Sequence, residues 1–483
     1  MSNEPQKLRR ELKTWETFAL SIAMMSPTLA MAVYGGAPAG FIGRAAPLAF
    51  ILSGVGVVLV GAGLVYLCRY FSHAGSVYGL TGVTLGPKAG FFSGWALLGC
   101  YLIYTPASAA TSAYFATLFL KDTGIWPNAD YILFTVIFLA IVFLLASREI
   151  KIVGRSLLSI EGLSIVAMVI VLVVVVVKLI GGFHGNHISG EVFVLPPGVD
   201  VHQLVLASVF GFTAFAGFEG AASLGEETKD PRRSIPKALT IAIVGAVVFY
   251  IICVAIMAMG FGTSAEGGKA FASSSGPLFD LSAKYVSQTM ADVIELGAMV
   301  SAFGAALGST VGGGRLLFAL ARDARPQSRL ATLNKTGAPL PALVLAVGFA
   351  LVMNVILRVS GVTGLNSAFY LGTTGTLSLL VAYAMVDVGA VRLMLKSATV
   401  KAVAIIPLLG FLLLVYVLFN EVYPVPAHPY NLLPYFVGAW LLIGLGVVVL
   451  IPGVAKRIGV GLAEAEGIQN QPSESEIAGI AHD

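Results

Sequence analysis

Two glutamates stand where an acid is expensive to keep. Glu161 and Glu219 each lie inside an apolar run long enough to cross a bilayer, and an ionisable group in such a run is a functional candidate by default. Glu161 falls six residues past Arg155 and Glu219 seven residues before Glu226. At 1.5 Å per residue both sit roughly 9–10 Å in from the same polar margin. A carboxyl in so dry a place can bind and release a proton near neutral pH. Either acid is therefore a candidate for proton coupling, and a hydrogen-bonded structural acid is the plain alternative.

The backbone near these acids is the second chemical candidate. Met24-Met25-Ser26-Pro27-Thr28 places a proline in the middle of the first run. The sixth run holds Phe210-Gly211-Phe212-Thr213-Ala214-Phe215-Ala216-Gly217-Phe218-Glu219-Gly220, three glycines around an acid. Gly and Pro inside spans at corresponding positions of two halves point to discontinuous helices and a midplane substrate site. An opened helix offers free N–H groups on one side and free C=O groups on the other. Those groups suit a zwitterion, carboxylate on the N–H side and ammonium on the C=O side. The two runs are five apart, as a five-plus-five repeat requires.

The elements that position these groups follow from composition. The chain has 483 residues, 57% of them hydrophobic and 11% charged, with mean hydropathy +0.89. A soluble domain carries about a quarter charged residues, so this is a polytopic membrane protein. Disorder, collagen and a disulfide-stapled module are excluded on the same figures. Cys68, Cys100 and Cys253 sit singly in apolar runs and read as buried bystanders without metal-ligand spacing. Runs of about 20 apolar residues occur near 15–37, 47–68, 89–120, 129–147, 152–181 and 202–225. Six more lie near 237–262, 290–320, 340–358, 362–390, 401–420 and 432–452. Barrel-type alternation is missing from them, so the fold class is all-α with twelve transmembrane helices.

Orientation follows from Lys and Arg. With the N-terminus inside, 23 of the 29 fall on the cytoplasmic side, a strong positive-inside bias. Both termini are then cytoplasmic in a multi-pass plasma-membrane protein. The basic patches need neither nucleic acid nor lipid to explain them, and the +4 net charge reports topology. Residues 1–14 read as a cytoplasmic N-terminus. Residues 15–390 read as a ten-helix core (15–181 and 202–390), 401–452 as two peripheral helices and 453–483 as a flexible tail. Loops 182–201 and 263–289, rich in Gly, Ser and Pro, are the longest external ones.

The stretch from Gly217-Phe218-Glu219-Gly220 through Glu226-Glu227 to Pro231-Arg232-Arg233-Ser234-Ile235-Pro236-Lys237-Ala238 resembles the sixth-helix signature of amino acid–polyamine–organocation (APC) permeases. His73-Ala74-Gly75-Ser76-Val77-Tyr78 with Gly94-Trp95, Arg315-Leu316-Leu317-Phe318-Ala319-Leu320-Ala321-Arg322-Asp323, and Ala338-Pro339-Leu340-Pro341 match as well. The resemblance spans Lys13 to about Pro452. It implies a 5+5 inverted-repeat fold with discontinuous helices 1 and 6, and secondary transport by alternating access. On that likeness Ser26, Pro27, Thr28, Leu29 and Ala30 stand where many relatives have a glycine-rich break. Phe212, Thr213, Ala214, Phe215 and Gly217 form the opposing lining. Ser164 takes the place of a helix-5 lysine often found in relatives, where it could help to ligate sodium. Glu226, Glu227, Arg232 and Arg233 are the implied inner gate.

Leu98, Tyr101, Leu102 and Thr105 share one side of the third run without a carboxylate among them. A lining of that kind favours an uncharged side chain over a polyamine, although Lys13–Trp15 and Gly94-Trp95 resemble putrescine importers. Glu295 and Asp387 fall near span ends and read as snorkelling or solvated. The expectation is a proton-coupled importer of a small amino acid, without cofactor or metal. Its alternatives are a putrescine-like amine importer and a sodium-coupled or exchanging carrier. An enzyme is disfavoured because HExxH, GxSxG, Walker A and paired-Cys motifs are missing. A channel is disfavoured because no filter repeat or charged ring is visible.

Overall fold

A computed structural model describes residues 12–71, 75–148, 150–397 and 400–465. His73 and Ala74 of the matched motif, and the tail beyond Ala465, lie outside the described residues. Helices dominate, and among the described residues the one β-bridge joins Leu12 to Thr228. The longer helices are α1 (Thr14–Met25), α2 (Ala46–Cys68), α3 (Pro87–Asp122), α4 (Tyr131–Ala146) and α5 (Ile150–Ile180). They continue with α6 (Val201–Phe215), α7 (Pro231–Phe261), α8 (Gln288–Ala324), α9 (Leu340–Val359) and α10 (Gly364–Lys396). The chain ends in α11 (Ile405–Asn420), α12 (Leu433–Leu450) and α13 (Pro452–Ala465). Nine helical segments of the described residues are long and apolar enough to cross a bilayer, the first of them, Thr14–Cys68, containing both α1 and α2.

The interior is built on α3, with α8 and α10 each packed along its length. Small residues make this possible: α8 carries Gly308, Gly312, Gly313 and Gly314, all buried. In lipid, close backbone approach through such residues replaces the hydrophobic drive between helices. Around this centre α2 packs on α6 and α7, and α1 on α5 and α7. Helix α12 is clasped to α3 by two tryptophans. Trp95 Nε1 donates to the Trp440 carbonyl (2.8 Å) and Trp440 Nε1 to the Trp95 carbonyl (2.9 Å). Their rings stack at 4.4 Å, on room left by Gly99 and Gly444.

Two segments expected as irregular are ordered. The loop 263–289 folds into short helices Ala265–Ser273 and Pro277–Tyr285, because Phe271, Leu278, Phe279 and Leu281 give it an apolar side that is buried. It covers the end of the first span, where Pro277 packs on Gly36. The start of the expected tail is α13, which lays Ala455, Ile458 and Leu462 at helical spacing against the bundle.

Candidate functional site

Both expected interruptions exist. Helix α1 ends at Met25, and Ser26 takes a left-handed conformation (φ 43°) before Pro27 starts a new turn. A left-handed non-glycine residue is strained by roughly 1–2 kcal/mol, and proline supplies no N–H to the turn it begins. The exposed donors of that turn are caught by side chains. Thr28 N donates to Glu161 Oε1 (3.1 Å) and Leu29 N to Ser301 Oγ (3.1 Å). Ser301 Oγ in turn donates to the same Glu161 oxygen (3.0 Å), and Ser26 Oγ to the Ser301 carbonyl (3.0 Å). Glu161 Oε2 and Thr28 Oγ1 are buried without a hydrogen bond among the described residues.

Helix α6 stops at Phe215. Ala216 is extended (ψ 141°), Gly217 has φ +103°, and a tight 3-10 segment, Phe218–Leu224, follows. Glycine is required at 217 twice over: by its φ, and because a Cβ there would lie 2.6 Å from Met24 Cβ. The two interruptions therefore touch. Glu219 closes the second one. Its Oε2 accepts from Gly217 N (3.1 Å) and the Tyr383 hydroxyl (2.5 Å), and its Oε1 accepts from the Tyr101 hydroxyl (3.0 Å). Ser21 stitches the breaks together, donating to the Phe218 carbonyl (2.6 Å) and accepting from Ala221 N (3.0 Å).

Facing interruptions of this kind occur in carrier proteins, and the comparisons agree. A family model described as amino acid permease matches residues 22–457. The chain belongs to the amino acid permease family. Two uncharacterized transporters of Mycobacterium tuberculosis are 27% identical over 333 residues and 25% over 349. Each alignment covers 66% of this chain, with 67% and 68% of the relative. The low-affinity putrescine importer PlaP of Escherichia coli is 24% identical over 251 residues, covering 50% of this chain and 52% of its own. The protein is thus a multi-pass membrane permease, and its relatives are transporters.

The other expected lining residues divide. Tyr101 reaches the second break through Glu219. Thr105 lies 3.2 Å from Ser309 Oγ and 3.4 Å from Thr310 Oγ1. Thr213 joins Thr376 (2.8 Å), which joins Tyr104 (2.7 Å). Ala214 is buried. Ser164 Oγ donates to the Gly297 carbonyl (3.2 Å), and Thr28 packs on the same glycine. Phe212 and Phe215 turn away. Phe212 fills the space over Gly56 of α2, while Phe215 stacks on Tyr250 at 5.1 Å and meets Phe50 edge-on. Both rings are buried against neighbouring helices, and Tyr250 links Phe215 to the first break by donating to the Met25 carbonyl (3.4 Å). The helix-3 face also has an acid after all, because Tyr101 holds Glu219. The argument against an ammonium-bearing side chain loses its ground there.

The charge cluster is wired differently from expectation. Glu227 pairs with Arg315 through two bonds of 3.0 Å, both side chains buried. Glu226 pairs with Arg322 (2.9 and 3.1 Å), and Arg322 also holds Asp323 (3.0 Å), which accepts from Tyr78 (2.8 Å). Arg232 and Arg233 are exposed and pair with no acid among the described residues. They begin α7 on its outer side, whereas α8 brings Arg315 and Arg322 beneath the 3-10 segment. Leu12 bridges to the same mouth: Leu12 N donates to the Glu227 carbonyl (3.0 Å) and Lys229 N to the Leu12 carbonyl (2.9 Å).

Asp387 and Glu295 are likewise corrected. Asp387 is fully buried in α10, its oxygens against Gly63 of α2 and Gly410 of α11 and without a hydrogen bond among the described residues. Glu295 is 4% exposed, two turns inside α8. Neither snorkels. Asp387 lies nine residues before the end of α10 at Lys396, and Glu295 seven residues past the start of α8 at Gln288. Ser301, Tyr383, Arg315 and Arg322 make these contacts without a sequence signal for them. A hydroxyl or arginine on a helix carries no periodic signal of which distant residue it will meet.

Proposed function

We propose that the permease imports a small amino acid by alternating access, with protons as the coupling ion. Counting α1 and α2 as separate spans and adding α3 and α4 gives twelve. In this reading α1–α5 and α6–α10 are the inverted repeats, α11 and α12 are peripheral, and both termini are cytoplasmic in the plasma membrane. The observation that carries the reading is the contact between two helix interruptions, Met24 on Gly217, each closed by a buried carboxyl. Ser26–Ala30, Tyr101, Thr105, Thr213, Ala214 and Gly217 remain the proposed lining. Glu161 holds the Thr28 N–H that a substrate carboxylate would need. Protonation makes a carboxyl a weaker acceptor, so proton arrival loosens Glu161 and opens that donor to the substrate. The Glu227–Arg315 and Glu226–Arg322 pairs form the proposed inner gate. No enzyme chemistry enters this cycle.

A second reading has specific support. Glu219 and its two tyrosines place a buried acid beside the proposed lining, which suits an ammonium group, and PlaP is named a putrescine importer. Sodium is the alternative ion, with Ser164 and Thr28 as its oxygen donors around Gly297. Radiolabelled uptake into proteoliposomes decides among these. With an inward proton gradient and without sodium, a zwitterionic amino acid should accumulate and putrescine should not. Putrescine accumulation alone would transfer the site to amines, and a strict sodium requirement would move the coupling to Ser164 and Thr28.

A further inference from the structure

Four of the cations that the positive-inside bias explains one by one converge on a single hollow. Arg69 at the end of α2, and Arg232, Arg233 and Lys237 on the first turns of α7, line a cavity of about 510 Å³ with Thr240 and Ile241. Among the described residues no acid lines it, and none of the four cations is paired with a carboxylate. Topology requires charges on one side of the membrane, not their gathering around one space. Directly beyond the cavity, α7 presents Ile241, Val244, Val248 and Ile252 outward, each about half exposed. Their spacing of three, four and four residues makes one continuous apolar stripe along the helix.

We propose that this cavity is a binding site for an anionic phospholipid. The phosphate of the headgroup sits among Arg69, Arg232, Arg233 and Lys237, and an acyl chain runs along the Ile241–Ile252 stripe. Arginine forks match phosphate oxygens in pairs, and Thr240 adds a hydroxyl donor. The cavity lies at the end of the bundle that the Lys and Arg count assigns to the cytoplasm, where basic pockets between helices meet anionic headgroups. A free phosphate ion would use the cations but leave the stripe idle, so the lipid is the occupant that uses both features. The site touches the moving parts through α7, which packs on α1 and on the 3-10 segment holding Glu219.

The purified full-length permease in detergent tests this by native mass spectrometry and thermal melting. Dioleoylphosphatidylglycerol should bind and raise the melting temperature, whereas dioleoylphosphatidylcholine and millimolar inorganic phosphate should not. Arg232→Ala with Arg233→Ala should weaken phosphatidylglycerol binding about 30-fold, at about 1 kcal/mol per cation near an anionic headgroup. Both residues are exposed, so the variant should fold. The charge-matched pair Arg329→Ala with Lys335→Ala, at the same end but outside the cavity, should bind as wild type does. Raising salt from 0.1 to 1 M shortens the screening length from about 10 to about 3 Å and should weaken wild-type binding. Equal loss in both double variants would reduce the effect to overall charge and overturn the site. An equal response to phosphatidylcholine, or to phosphate alone, would overturn the lipid assignment.

Discussion

The two helix interruptions solve the same problem with different completeness. At the first, Glu161 uses one oxygen for Thr28 N and Ser301, and its other oxygen has no hydrogen bond among the described residues. At the second, Glu219 commits both oxygens to three donors, two of them tyrosines on α3 and α10. A carboxylate held by several donors is fixed in place. One with a vacant oxygen has little to lose by changing its proton or its partner. The difference teaches a division of labour in the proposed cycle: Glu219 anchors the break it sits in, and Glu161 is the acid proposed to carry the proton.

The largest effect is expected where the breaks meet. Gly217→Leu should reduce uptake to the level of protein-free liposomes while the protein still inserts and runs monodisperse, since its side chain lands on Met24. Undiminished uptake would separate the two interruptions and dissolve the comparison. Next comes Glu161→Gln, which keeps an acceptor for Thr28 N but releases no proton. It should lose pH-driven accumulation and keep counterflow exchange in proteoliposomes. Glu219→Gln should show the reverse emphasis. Its amide cannot accept from both tyrosines, so the melting temperature should drop by the equivalent of about 1–3 kcal/mol, with Tyr383→Phe giving a smaller drop. If the two glutamine variants behave alike, the division of labour is wrong.

The smallest effect should come from a pair outside both breaks. Arg358 lies against Asp130 at 2.7 Å and, with the Ile132 N–H, holds that carboxyl below its usual range. A depressed pKa contributes stability above the unfolded value near 4 and loses it as pH falls through the folded one. Asp130→Asn should therefore melt slightly below wild type at neutral pH and converge with it in acid. An exposed pair contributes little, and added salt should shrink the gap further. Transport should not change.

Much of this architecture is legible in the residues themselves. The apolar run expected at 340–358 is Leu340–Val359, and that at 47–68 is Ala46–Cys68, because length and hydropathy alone define a membrane helix. The interruptions are equally plain, since Pro27 and Gly217 are residues that a continuous helix tolerates poorly. Partners are less legible. Glu227 meets Arg315 88 residues away, not the neighbouring Arg232, because charges on a turn compete with those that packing delivers from another helix. Phe212 and Phe215 lie on a helix that is buried all round, where periodicity does not tell the substrate side from the scaffold side. Asp387 sits between two glycines from other helices, a niche that its own segment does not reveal.

The tryptophan clasp between α3 and α12 has an optical consequence. The chain has four tryptophans: Trp95 and Trp440 lie face to face, and Trp15 and Trp126 are exposed. The α3 ring is fixed on the same helix as Tyr101, less than two turns from the hydroxyl that grips Glu219. Two indoles stacked at 4.4 Å share their excitation, and both lose that sharing if either helix turns. The permease therefore carries its own spectroscopic gauge of whether α12 travels with α3, readable without attaching a dye.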